Sequence, residues 1–378
     1  MNLQQQLIQY RRELHRFPEL SMEEYLTTGR IRQWLSDNGV DILGLTLKVG
    51  IVAEVRGKLP GPIIVLRADI DALPITEESG VEFSSENPGV MHACGHDFHT
   101  AAMLGAAILL QQERERLRGA VRFIFQPAEE SATGAKWLIE QGVLNGVEAA
   151  FGFHNRPNLP VGVIGVREGA LMASVDRFEI TVTGISGHAG MPENCIDPIV
   201  VGSQIVLALQ TIVSRKISAF DNAVISVTRF SSGNTWNVIP GEAHLEGTVR
   251  TFQKEVREKI PELVLKIARD IAAAHEAQIR FEWHENLPMV FNSSIFTSLV
   301  KKTAQEEGLQ VVEAERSLGG EDFALYQEVV PGFFVWMGVA GEYAWHHPAY
   351  CLSEEALAVT ARYFAHLAQK IMEEWTNN

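Results

Sequence analysis

The stretch VRFIFQPAEESATGAKWLIEQGVLNGVEAAFGFH, residues 121–154, decides the fold. VRFIFQ (121–126) and EAAFGFH (148–154) are strongly apolar runs of strand length, and KWLIEQG (136–142) between them has helical spacing and ends on a glycine. Strand, helix and strand with short links read as a β-α-β unit, whose strands lie parallel and are covered on both faces. The same grammar extends outward. GIVAEVRG (50–57) and IIVLRAD (63–69) add strands, and a helix runs from about Asp97 to Leu117. Toward the N-terminus, Leu3, Leu7 and Leu14 mark a helix that Pro18 stops. Ser21-Met-Glu-Glu24 reads as a capping box for a second helix reaching Asn38-Gly39.

Past Val175 the pattern changes. Phe178, Ile180 and Val182 alternate with Glu179, Thr181 and Thr183, as in a strand with one solvated face. A helix (196–216), strands 223–230 and 242–250, a helix (253–274) and a strand (278–283) follow. This β-α-β-β-α-β order is the ferredoxin-like motif. Beyond Asn286-Leu-Pro288 the α/β alternation resumes, with a helix at 293–307, strand FFVWMG (333–338) and a helix at 353–374. With 378 residues the chain suits two domains. The expectation is an α/β domain, 1–174 and 289–378, whose mostly parallel sheet carries helices on both faces, interrupted by an α+β lid domain at 175–288.

Charge and cysteines narrow the class. Asp plus Glu is 47 against 32 for Lys plus Arg, so the net charge of −15, with no basic cluster, argues against nucleic acid as a partner. Three cysteines, Cys94, Cys195 and Cys351, with no C-x-x-C pair, fit a reducing compartment rather than a disulfide framework. The opening MNLQQQLIQYRRELHRF is charged throughout and does not read as a signal peptide. The run 196–213 is interrupted by Ser203 and Gln204 and falls short of a membrane span. A cytoplasmic chain with no membrane partner is expected.

MHACGHDFH (91–99) concentrates three histidines, a cysteine and an aspartate. A thiolate and an imidazole two residues apart, Cys94 and His96, can reach one borderline-soft ion, and Gly95 removes the side chain that would crowd the turn. The blander reading makes Cys94 a small buried hydrophobe. Glu129 and Glu130 follow strand 121–126, and adjacent carboxylates are often only a solvated helix start. Their place changes the weighing. Asp69 and Asp71, Glu129 and Glu130, His154, and Trp345-His346-His347 all lie at or beyond carboxyl ends of strands, where open α/β sheets bind ligands. Cys94, His96, Glu130, His154 and His346 can thus converge, and five mixed donors exceed one structural zinc site and suit two ions sharing ligands. Glu129 is then left as a general base toward water.

The strings HRFPELS, RADIDALPI, MHACGHDFHT, FQPAEE, FGFHN, GHAG, NVIP, GTVRTF, GGEDFA and HHPAY together resemble the aminoacylase-type amidohydrolases. This dinuclear metallohydrolase family includes aminoacylase, hippurate hydrolase, the plant indole-acetyl-amino-acid hydrolases and, more distantly, carboxypeptidase G. The resemblance runs from about Leu14 to the C-terminus. It implies two divalent ions (Zn, Mn, Co or Ni) on Cys94, His96, Glu130, His154 and His346, with His347 as a substitute for His346, and Glu129 as general base. Asp69 is in doubt as a ligand, and Asp71 is expected to orient a ligating imidazole. In the lid, the resemblance gives His188 and Asn237 the scissile carbonyl oxygen, sometimes from a neighbouring subunit, and Arg250 the substrate carboxylate. The plain alternative for Arg250 is an exposed strand arginine. The resemblance further implies a homodimer through the lid and hydrolysis of small N-acyl amino acids, N-acetyl by default. A dipeptidase or carboxypeptidase, or a retired scaffold that binds metal or amino acids, are the alternatives.

Overall fold

In the computed structural model, which describes residues 2–377, the chain divides into two compact units. The first is Met1–Leu171, Phe291–Glu315 and Glu321–Asn378; the second is Met172–Val290 with Arg316–Gly320. The short piece 316–320 thus groups with the second unit, although the sequence pattern places it in the first.

The first unit is framed by an eight-stranded sheet. Across it the order is Asp41–Ile42, Ile51–Arg56, Arg118–Gln126, Leu59–Asp69, Val147–Arg156, Gly332–Gly338, Val163–Val166 and Gln310–Glu313. Its middle is parallel: Leu59–Asp69 pairs parallel with both Arg118–Gln126 and Val147–Arg156, and Gly332–Gly338 pairs parallel with Val147–Arg156. Antiparallel pairs flank this block, Ile51–Arg56 on one side and Val163–Val166 on the other. Residues 64–69 and 119–126 are buried without a break, so both faces of these strands are covered. Helix His96–Gln112 is buried over nearly its whole length and packs against Ala356–Asn377 and Leu3–Arg16. Gly105 makes that crossing close, because a Cβ there would lie 2.7 Å from Ala361 Cβ and from a Leu7 methyl.

The second helix corrects a sequence expectation. It spans Tyr25–Asp37, and Ser21 caps nothing. Its free N–H groups at Leu26 and Thr27 are taken by the Glu19 carboxylate at 3.1 and 2.8 Å. Ser21 instead donates to Asp71 at 2.7 Å, because a buried carboxylate is a stronger claimant for a hydroxyl than a solvated helix end.

The second unit has a four-stranded antiparallel sheet in the order Ala223–Ser232, Glu242–Thr251, Ser174–Thr183, Gln278–Leu287. Chain order is β-α-β-β-α-β, with helices Pro198–Thr211 and Lys254–Ala274 as the two crossovers. Phe178, Ile180, Val182, Leu245 and Val249 meet Val201, Ile205, Leu209, Ile260 and Val264 in one core. The helical stretch Pro198–Lys216 does reach the length and apolarity of a membrane span, 19 residues, despite Ser203 and Gln204. One of its faces is spent on the unit's core through Val201, Ile205, Leu209 and Ile212. A two-stranded ribbon, Gly187–His188 against Val238–Ile239, completes the unit.

Candidate metal centre

The carboxyl ends of the parallel strands bring five donors of the first unit together. Cys94 and His96 stand where the chain enters helix His96–Gln112 through Gly95, whose φ is +84°. An L side chain is disfavoured at that angle, and a Cβ would also come within 2.6 Å of Asn155 Nδ2. Cys94 Sγ lies 3.3 Å from His154 Nε2. His96 Nδ1 faces the Asp71 carbonyl at 3.0 Å and its carboxylate at 3.2 Å, which turns Nε2 the other way. That Nε2 is buried without a hydrogen-bond partner, and so is Glu130 Oε1, 3.9 Å from it. His346 Nε2 lies 3.5 Å from Glu130 Oε2.

Two donor sets result, Cys94/His96/His154 and Cys94/Glu130/His346, each with its donor atoms within 4.8 Å of one another. They share the cysteine. Sulfur, imidazole and carboxylate form a mixed set that suits zinc, manganese, cobalt or nickel. The orphaned His96 Nε2 and Glu130 Oε1, buried and 3.9 Å apart, fit a pair of atoms placed to ligate an ion.

The electrostatics agree. Burial opposes a charge on His96, but Asp69, Asp71 and Glu130 outweigh it and push its pKa up to about 10. Burial, then Glu321, Glu130, Asp322 and Asp69, hold the Glu129 carboxyl well above the usual range. Burial and the carboxylates of Glu130, Glu129 and Asp69 raise the Cys94 thiol likewise. Carboxylates crowd these groups, and divalent cations would supply opposing charge there.

Of the adjacent histidines, His346 is the one turned toward Glu130, although its side chain is half exposed. Its backbone adopts φ +66° and its N–H donates to Ala93 O at 2.9 Å. The His347 ring stacks on Tyr343, centroids 4.4 Å apart, and its Nδ1 accepts from Ala349 N. Asp71 reaches two donors at once, with Oδ1 on His96 and Oδ2 accepting the N–H of Glu130 at 3.0 Å. Asp69 is spent elsewhere, on Arg67 at 2.6 Å and His99 at 2.5 Å. His99 in turn accepts from Asn155 N at 2.9 Å, so both of its ring nitrogens are used.

The sequence reading missed the charge network beneath the site. Arg67, fully buried, contacts Asp69, Glu321 and Asp322, and Gln126 accepts from Arg67 while donating to Asp322. Its signals were an arginine inside an apolar strand and two acids in the GGEDFA string. Arg67→Ala leaves three buried carboxylates without their cation and should destabilise the fold by about 3–5 kcal/mol. The urea midpoint measures this, and a shift below 1 kcal/mol (about a tenth of a domain's stability) would contradict it.

The remaining candidates belong to the second unit. His188 is exposed on the small ribbon, opposite Val238, and its Nδ1 accepts from Gly190 N. Asn237 is its neighbour there, since Asn237 O accepts from Ala189 N at 3.1 Å. Arg250 lies half-buried on the outer face of its strand, and burial lowers its pKa.

The model of peptidase family M20/M25/M40 matches residues 65–370. The chain belongs to that family. It is 56% identical to the N-acetylcysteine deacetylase of Bacillus subtilis (strain 168), over 97% of both chains. It is 43% identical to the N-acyl-L-amino acid amidohydrolase of Geobacillus stearothermophilus, over 76% of this chain and 78% of that one. Among solved structures it resembles the Bacillus subtilis YXEP protein, described as a dinuclear metal-binding peptidase from the M20 family. The TM-score is 0.91 at 52% identity, covering 98% of this chain and 99% of that one. The M20 fold thus accounts for the large, mostly parallel sheet, at whose carboxyl edge the candidate metal donors cluster.

Proposed function

We propose that this M20 chain is a metal-dependent amidohydrolase that cleaves N-acyl amino acids, N-acetyl ones by default, to a carboxylate and a free amino acid. The observation that carries the reading is the pair of donor sets sharing Cys94, with Glu129 beside them. The similarity to an N-acetylcysteine deacetylase and an N-acyl-L-amino acid amidohydrolase supports the substrate class.

Cys94, His96, Glu130, His154 and His346 would hold two divalent ions, which would polarise the acyl carbonyl and lower the pKa of water from ~16 to ~7. Glu129 takes the proton of the attacking water on a carboxylate oxygen. The water oxygen bonds to the acyl carbon, the C–N bond breaks, and Glu129 returns the proton to the amine nitrogen. Burial, and then crowding by Glu321 and Glu130, makes Glu129 a stronger base than a free carboxylate, which suits this shuttle. Asp71 keeps His96 and Glu130 in place.

His188 and Asn237 hold the carbonyl oxygen, and Arg250 binds the substrate carboxylate. The second unit, 175–288 in the sequence reading, acts as a lid and as the surface of a homodimer in the cytoplasm. His188→Ala should lower kcat while metal content is unchanged. Unaltered kcat, or full activity from a monomer at micromolar concentration by light scattering, would remove this part of the reading. The decisive experiment is a metal-reconstituted screen on N-acyl amino acids varied in both halves, with dipeptides alongside. Preference for dipeptides would favour a peptidase, and metal-loaded protein inert on the whole panel would favour a retired binding scaffold.

A further inference from the structure

We propose that Glu24 is a positioning residue for Glu129: its buried carboxylate grips the peptide N–H just ahead of that glutamate and fixes the turn that presents it. The proposal rests on the reading of Glu129 as the base.

The turn after strand Arg118–Gln126 is conformationally costly. Ala128 and Ala132 have φ of +56° and +55°, a region that residues with a Cβ avoid. Such backbone persists only where its surroundings over-determine it. Here Ala128 N donates to Glu24 Oε1 at 2.9 Å, and Ala128 O accepts from Gly134 N at 3.1 Å and from Thr133 N at 3.2 Å. Gly50 lets Pro127 pack tightly, since a Cβ at Gly50 would stand 2.6 Å from Pro127 Cδ. The two neighbouring glutamates therefore have separate anchors. Asp71 holds the N–H of Glu130 and also His96, both metal donors, whereas Glu24 holds the residue before Glu129.

Nothing in helix Tyr25–Asp37 needs the Glu24 carboxylate. Glu24 sits at the N-cap position but makes no side-chain cap, and Glu19 has taken the N–H groups of Leu26 and Thr27. Glu24 is fully buried, its Oε2 has no hydrogen-bond partner, and Asp71 is a like-charged neighbour. For stability alone this is a poor residue. Local rules broken without a structural gain are expected at functional positions, and the hydrogen bond that carries the Glu24 carboxylate across to a distant segment goes to the turn bearing Glu129.

The test uses the full metal-loaded chain and one N-acetyl-L-amino acid. Glu24→Met keeps the volume and removes the acceptor, Glu24→Gln keeps an acceptor oxygen, and Glu24→Ala serves if the methionine variant does not fold. Per folded molecule, Glu24→Met should lose about 10- to 100-fold in kcat with little change in KM or metal content. Glu24→Gln should recover most of that loss. In a Glu129→Gln background, Glu24→Met should cost nothing further, because two residues acting through one group are not additive. Wild-type kcat in the folded Met or Ala variant, a full multiplicative loss in the Glu129→Gln background, or metal loss that accounts for the lost rate would each overturn the proposal. Near-normal turnover by Glu129→Gln alone would instead overturn the base assignment, so the two failures are distinct.

Discussion

Glu129→Gln should lower kcat by about 10²–10⁴-fold or more while both metal sites and the fold stay intact. The amide matches the carboxylate in size but cannot accept a proton at neutral pH. Its five neighbouring donors are untouched, and replacing one carboxylate relieves the repulsion from Glu321 and Glu130 that burdens this position. The substituted protein should therefore be no less stable than the parent. Substrate should still bind, so KM should change far less than kcat, and an intact N-acyl amino acid should be trappable in a crystal. Steady-state kinetics and elemental analysis of one preparation test this together. Near-normal turnover would mean that another group moves the proton.

Glu130→Gln should fail differently, by losing metal. Glu130 belongs to the donor set with Cys94 and His346, and one of its oxygens faces His96. A neutral amide is a much poorer ligand than a carboxylate. Up to two divalent ions per chain are expected in the parent, with chelation abolishing turnover and re-addition restoring it. In Glu130→Gln one ion should be retained far more weakly, and activity should return in part when metal is raised. Active parent protein without metal by elemental analysis would contradict the two-ion reading, as would a Glu130→Gln variant with full metal content and slow turnover. Consecutive residues are separable in this way because each has its own anchor, Asp71 behind Glu130 and Glu24 ahead of Glu129.

Much of this was written in the chain. The apolar strand VRFIFQ and the helix after it require a covered parallel sheet, because only burial on both faces satisfies such runs. The alternation at Phe178, Ile180 and Val182 marks a sheet with one open face, and those residues form the core of the second unit. Cys94-Gly95-His96 announces a tight turn between a thiol and an imidazole through local stereochemistry, since glycine sits easily at φ +84°. Parallel strands share one carboxyl edge, so the sequence alone assigns Glu130, His154 and His346 to one rim.

The tertiary structure decided which partner each polar group takes. Ser21 and Glu24 spell a capping box, yet Asp71 and the N–H of Ala128 claim them, because these buried groups lack water and the helix end has Glu19. His346 and His347 are indistinguishable by type, and backbone angle and ring stacking separate them. Arg67 and Asp322 are 255 positions apart in the chain, yet with Glu321 they form one charge network. Periodicity reports which face of an element is buried, because that depends on neighbours one turn or one pleat away. Pairing of buried polar groups depends on which distant donor the fold brings within about 3 Å, and that is fixed only when the chain closes on itself.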